Sequence, residues 1–155
     1  MSLPLGFTQR QLQIWGMKRD GLSLAEIARR LDVSRQAIHK VAGNVDEQVQ
    51  QTLCQIASAA KIEVKHLDPV KGILLGYSYE NENRVIITFS TKHGAQIWNY
   101  HADKCGNCQS LNACKEVILG EAEERGINLT KEEKESTPTQ LAQIVFSKVI
   151  PGLEP

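Results

Sequence analysis

Three of the four cysteines lie close together in the sequence, with a spacing that is typical of metal ligands. Cys105 and Cys108 are separated by two residues, and Cys114 follows after five more. Thiolates this close to each other repel and desolvate poorly unless a cation holds them together. Gly106 eases the turn between the first two. The spacing therefore predicts that these three thiolates bind one metal centre.

Two kinds of metal centre remain open. Zinc takes four ligands in a tetrahedron, and His101 could complete a Cys3His site. A 4Fe–4S cluster also takes thiolates, and the C-x2-C-x5-C run resembles the iron–sulfur spacing of WhiB-like regulators, endonuclease III-type glycosylases and some helicase–nucleases. A more distant cysteine precedes the run in those families, which implies Cys54 as fourth ligand, from the same chain or from a dimer partner. We favour the 4Fe–4S cluster; a buried apolar thiol is the alternative role for Cys54.

Upstream of the cysteines, the first third of the chain carries start and stop signals for three helices. The predicted N-caps are Thr8, Ser23 and Ser34. The first two are each followed three residues later by Gln11 or Glu26, which predicts two capping boxes. Gly21 ends the first helix, and Asp32-Val33 forms the turn before the third.

The third predicted helix continues past Gly43 or restarts after it, with apolar residues at three- and four-residue steps. This stripe consists of Ile38, Val41, Val45, Val49, Leu53, Ile56 and Ala60. Such a stripe favours either a coiled coil with a second copy of the chain or packing onto its own domain. The sequence does not distinguish between the two.

The three-helix segment is also the basic part of the chain. Residues 8–44 contain seven Lys or Arg against three acids, although the net charge of the whole chain is zero. Any contact with a nucleic-acid backbone must therefore use this local patch. No global field steers the protein towards nucleic acid.

The third helix is the predicted DNA-reading element. In a helix-turn-helix unit, residues at the start of the second helix of the pair enter the major groove, and here these include His39. Arg35 could pair with guanine and Gln36 with adenine, whereas Ser34 and Lys40 suit phosphates. Four further residues could contact the DNA backbone: Thr8, Arg10, Arg29 and Arg30.

This segment resembles a known family. The stretches 7–11, 21–28 and 33–40 look like the helix-turn-helix of archaeal Tfx-type regulators and are similar to the wider LuxR and sigma-factor region 4 group. The resemblance covers about the first third of the chain and implies sequence-specific binding to double-stranded DNA, commonly as a homodimer. A three-helix scaffold for protein contacts is the alternative interpretation.

The remainder of the chain predicts a small α+β domain. Residues 61–101 alternate as strands of an antiparallel meander, including Lys61–Lys65, Gly72–Tyr79 and Arg84–Thr91. Helices are expected over about 115–125 and 137–150, and the glutamate-rich stretch 121–135 is expected to be a solvated face. We therefore predict a helix-turn-helix domain with an extended dimer or linker helix over 1–60, and a metal-binding sensor domain over 61–155.

Several function classes are disfavoured by the sequence. No apolar run approaches the length of a membrane span, and the N-terminus lacks the pattern of a signal peptide, so we expect a cytoplasmic protein. No catalytic motif is recognisable, so we expect no enzyme. The predicted function is a dimeric transcription regulator whose cluster senses redox or metal state. The alternatives are a regulator with a structural zinc site and a small-molecule-binding C-terminal domain, and an iron–sulfur DNA-processing enzyme.

Overall fold

The computed structural model describes residues 3–4, 6–99, 109 and 111–150, and confirms the α+β class. The described part of the chain contains six helices and a four-stranded antiparallel sheet. Their bounds are α1 (Gln9–Arg19), α2 (Leu24–Leu31), α3 (Arg35–Ala59), β1 (Ile62–Asp68), β2 (Ile73–Ser78), β3 (Asn83–Ser90), β4 (Gly94–Asn99), α4 (Leu111–Glu124), α5 (Lys131–Lys134) and α6 (Pro138–Ser147). None of the described helices is both long and apolar enough to cross a membrane.

Contacts divide the chain into two compact units, residues 1–97 and 98–155. The sequence predicts two domains that meet near residue 60. The compact unit extends further because α3 packs against the strands that follow it. The boundary between two functional domains remains a prediction.

The predicted helix caps are largely confirmed. Thr8 and Gln11 form the reciprocal capping box at the start of α1, and Gly21 takes the left-handed conformation beyond its end, with a φ of 96°. The second predicted box is wrong in one half. The Ser23 hydroxyl caps α2 but donates to the Glu26 carboxylate at 3.1 Å, so that this carboxylate does not cap the Ser23 N–H.

Helix α3 runs without a break through Gly43 for 25 residues, which gives it a length of about 37 Å. Its buried residues are Ile38, Ala42, Val45, Val49, Leu53 and Ala57. The predicted stripe is therefore right in four of its seven members, whereas Val41 and Ile56 are half-buried and Ala60 is exposed beyond the helix end. The buried seam differs from the predicted one because Ala42 and Ala57 are buried where the sequence predicted Val41 and Ile56.

The second half of α3 packs on the sheet of its own chain. Val45, Val49 and Leu53 are fully buried in one cluster with strand residues such as Leu74 and Ile87. Burying a side chain of this size stabilises a fold by about 1.5–3 kcal/mol. Packing within the chain, one of the two predicted outcomes, is thus confirmed, and this stripe is not available for a coiled coil with a second copy.

The four strands form the predicted antiparallel meander in the order β1-β2-β3-β4. Val85 and Ile87 point to the face that packs on α3, and Ile86 and Thr88, also buried, point to the other. Strand β1 continues to Asp68, beyond the predicted end at Lys65. An irregularity in its register between Val64 and His66 lets pairing with β2 continue.

Trp15 fixes α1 to the sheet. Its ring is fully buried and its Nε1 donates to the Pro69 carbonyl at 3.0 Å. Gly72, with a φ of 68°, leaves room for the ring, since a Cβ there would lie 2.7 Å from Trp15 Cζ2. This contact ties the first helix to the β1–β2 turn.

In the second unit, α4 packs against α6. Helix α4 begins at Leu111, earlier than predicted, and α5 forms between the two predicted helices because Thr130 and Glu133 make a capping box. The prediction of a fully solvated glutamate face is wrong at Glu121. This side chain has no exposed surface and pairs with Arg125, one helical turn later, at 3.0 Å.

Candidate nucleic-acid interface

The first three helices pack around their own small apolar cluster. Its buried members are Ile14, Ile27, Ala28, Ile38 and Ala42. Each of the three helices contributes, and the small alanines allow α2 and α3 to approach each other closely. We call α1, α2 and residues 35–44 of α3 the three-helix unit. This packing buries the apolar faces of the three helices, and the start of α3 remains exposed to solvent.

The turn between α2 and α3 sets the first residue of α3. Asp32 adopts the left-handed conformation, with a φ of 53°, which asparagine and aspartate tolerate better than most residues. The Val33 N–H donates to the Ala28 carbonyl at 3.1 Å. The Ser34 hydroxyl then accepts from the Ala37 N–H at 3.1 Å, as an N-cap does. Arg35 therefore occupies the first position of the helix.

All the residues predicted to contact DNA are exposed. They comprise the recognition set Ser34, Arg35, Gln36, His39 and Lys40, and the backbone set Thr8, Arg10, Arg29 and Arg30. Side chains at positions three and four apart in a helix share one face, so that Gln36, His39 and Lys40 form a continuous polar strip. These three side chains lie opposite the buried side of α3, and Arg35 is exposed at the first position of the helix.

The seven basic residues of segment 8–44 fall into two groups. Lys18 pairs with Asp46, and Arg19 pairs with Asp20 while its guanidinium lies 5.3 Å from the centre of the Trp15 ring. Within residues 6–99, no carboxylate pairs with any of the other five: Arg10, Arg29, Arg30, Arg35 and Lys40. The five unpaired cations are the basic residues that the sequence predicts as DNA contacts.

A chain of side-chain amides holds α1 against α3. Gln11 Nε2 donates to Gln48 Oε1 at 2.7 Å, and Gln48 Nε2 donates to the Gly6 carbonyl at 3.0 Å. With the Lys18–Asp46 pair, these bonds fix the orientation of α1. The positioning roles of Gln48 and Asp46 were not predictable from the sequence, because a pattern of local spacing carries no signal for a partner 37 or 28 residues away.

The predicted metal ligands are only partly within the described residues. His101, Cys105 and Cys108 lie outside them. Cys114 is half-buried in the first turn of α4, whereas the sequence predicted that this helix begins near residue 115. Cys54 lies on α3 and is half-buried. Among the described residues, no three His, Cys, Asp or Glu side chains form a group that could hold a metal.

Comparisons of the chain with protein-family models, with curated proteins and with solved structures find no match. The resemblance of segment 7–40 to Tfx-type regulators therefore remains a prediction from the sequence.

Proposed function

We propose that this protein is a transcription regulator that binds double-stranded DNA in a sequence-specific way, as a dimer, through the start of α3. The single observation that carries the proposal is the division of the basic residues. Of the seven basic residues of segment 8–44, the five suited to DNA contact are exposed and unpaired within residues 6–99, and the other two, Lys18 and Arg19, pair with Asp46 and Asp20.

The proposed roles follow from the chemistry of each side chain. Arg35 presents a planar fork of donors that matches the O6 and N7 acceptors of guanine, and the amide of Gln36 matches adenine. Three charged and exposed side chains suit contacts with phosphates: Lys40, Arg29 and Arg30. Such contacts fix the register of the helix on the duplex. A helix with its side chains is about as wide as the major groove.

The proposal is tested by selecting bound duplexes from a pool of random sequence with the full chain, and then measuring affinities for the selected and for unselected duplexes. The Arg35→Ala variant should lose about 1–3 kcal/mol of binding to the selected duplex and discriminate less at one base position. Arg84→Ala removes an exposed arginine of the sheet and should change neither. Equal losses on all duplexes would show that Arg35 contacts phosphate only, and no enrichment would refute sequence-specific binding.

For the cysteines, we propose a 4Fe–4S cluster bound by Cys105, Cys108 and Cys114, with Cys54 as the fourth ligand. The support is the spacing of the thiolates in the sequence, since two of these residues lie outside the described part. When bound, such a cluster would supply redox chemistry and would couple the folding of the segment to the presence of metal. We therefore propose that the cluster senses redox or metal state and in this way regulates the protein.

The metal proposal has its own test. The full chain purified without oxygen should be brown and absorb broadly near ~400 nm, as thiolate-bound iron–sulfur clusters do. A colourless protein containing stoichiometric zinc would contradict the cluster and favour a structural site. Cys54→Ser should lower the iron content, and an unchanged iron content would exclude Cys54 as a ligand.

A further inference from the structure

Strand β1 forms one edge of the sheet. Only β2 pairs with it within the described chain, so that its outer backbone groups have no strand partner there. Its central residues Glu63, Val64, Lys65 and His66 are all exposed, and 43% of the surface of Val64 is accessible. An apolar, β-branched side chain at an open edge is well suited to pairing with a further strand.

Aromatic and charged side chains surround this edge. Tyr79 is 64% exposed, and its ring centre lies 4.9 Å from that of Tyr77, which stands opposite Glu63 in the register of β1 and β2. Lys65 Nζ lies 3.0 Å from Glu63 Oε1. The Tyr79 hydroxyl, and after it Lys65, hold the pKa of the Glu63 carboxyl below its ordinary value, which favours the charged form.

We propose that β1 is a dimerisation edge, on which β1 of a second copy of this chain pairs antiparallel with Val64 opposite Val64. The two-fold axis of such a pair passes between the two Val64 residues. A residue just before Val64 in one copy therefore faces the residue just after Val64 in the other copy. Glu63 of each copy therefore faces Lys65 of the other, and two opposite-charge pairs form. The second copy is the occupant that the charge pattern fits, because the strand is complementary to itself.

Neighbouring registers do not fit. If the centre moved by one residue, to Glu63 or to Lys65, two glutamates or two lysines would face each other, and like charges opposite one another destabilise a strand pair. A lysine and a register irregularity are also features that keep an edge from pairing without control. Of the three registers, only the one centred on Val64 places opposite charges across the axis.

This inference deepens the proposed function, since it names the surface of the proposed dimer. It does not need DNA to be tested. A two-fold dimer would present two copies of the start of α3, and a two-fold regulator reads two half-sites of a near-palindromic operator. The test below measures mass without DNA, so that a failed dimer and a failed DNA reader give different results.

The experiment is sedimentation equilibrium of the full chain, purified without oxygen, over about 1–200 μM, a span that brackets micromolar dissociation constants. Lys65→Glu places two glutamates opposite each other across the axis and should weaken the dimer at least tenfold. The double variant Glu63→Lys with Lys65→Glu exchanges the two charges, restores opposite pairs and should restore the dimer. Lys131→Glu makes the same change of charge on exposed α5 and should have no effect.

Circular dichroism of each variant establishes that the fold is intact. A wild-type chain that stays monomeric throughout the concentration range would overturn the proposal. So would a dimer that Lys65→Glu leaves unchanged, because the copies would then meet through another surface. Failure of the double variant to restore what Lys65→Glu removes would equally contradict the register centred on Val64.

Discussion

The two halves of α3 belong to one unbroken helix but have opposite surroundings. Residues 35–44 expose a polar, cationic strip to solvent on one side. On the other side, Ile38 and Ala42 are buried in the small apolar cluster of the first three helices. Residues 45–59 bury Val45, Val49 and Leu53 completely against the sheet. The sheet therefore anchors residues 45–59, the anchored half, and this half holds residues 35–44, the proposed reading half, in a fixed direction.

If this division is correct, substitutions in the two halves should act on different measurements. The anchored half should govern the free energy of unfolding, with little direct effect on DNA affinity. The reading half should govern DNA affinity, with little effect on unfolding.

The largest expected effect is on the anchored half. Leu53→Ala should lower the free energy of unfolding by about 2–5 kcal/mol, because it removes a fully buried side chain and leaves a cavity between α3 and the sheet. Urea denaturation followed by circular dichroism measures it. Gln51→Ala, on the exposed side of the same half, should change the free energy by no more than about 0.5 kcal/mol. Similar losses of stability in both variants would contradict the assignment of stability to the buried face of this half.

A smaller effect is expected at the residue that begins the reading half. Ser34→Ala removes the side-chain cap of the Ala37 N–H and should cost about 1 kcal/mol of stability. Because the start of α3 would fray, affinity for the selected duplex should fall as well. Ser34→Asp, which keeps a capping oxygen, should preserve stability yet weaken DNA binding through its negative charge. Wild-type affinity in Ser34→Asp would argue that no phosphate lies near this cap.

The smallest expected effect is that of a single phosphate contact. Lys40→Ala should weaken binding by a similar factor for selected and unselected duplexes, and should reduce the salt slope of the proposed dimer by about 2, one for each copy. Fluorescence anisotropy at several salt concentrations measures both. Lys131→Ala, which removes an exposed lysine of α5, is the matched control. A loss confined to the selected duplex would assign Lys40 to a base instead.

Local chemistry explains which parts of the fold were predictable. The caps at Thr8 and Ser34 and the end of α1 at Gly21 depend on residues within three or four positions of each other, and the structure confirms them. The exposure of Gln36 also followed, because the apolar stripe fixes which side of the helix is buried.

The features that the sequence missed depend on distant partners. Periodicity predicted that the second half of α3 is buried but not that the sheet covers it. The burial of Glu121 depends on Arg125 and on packing that no charge pattern reveals. Strand β1 was predicted too short because an irregularity in register has no clear sequence signal.

The central claim is that the start of α3 lies against duplex DNA, and the most direct measurement is the binding of the wild-type chain to a labelled duplex as salt rises from about 50 to 200 mM. Four cations are assigned to phosphates: Arg10, Arg29, Arg30 and Lys40. Because the proposed dimer carries two copies of these four cations, the account predicts binding at low salt and a slope of log affinity against log salt of about −7. No affinity for any duplex at low salt, or a slope near zero, would contradict it.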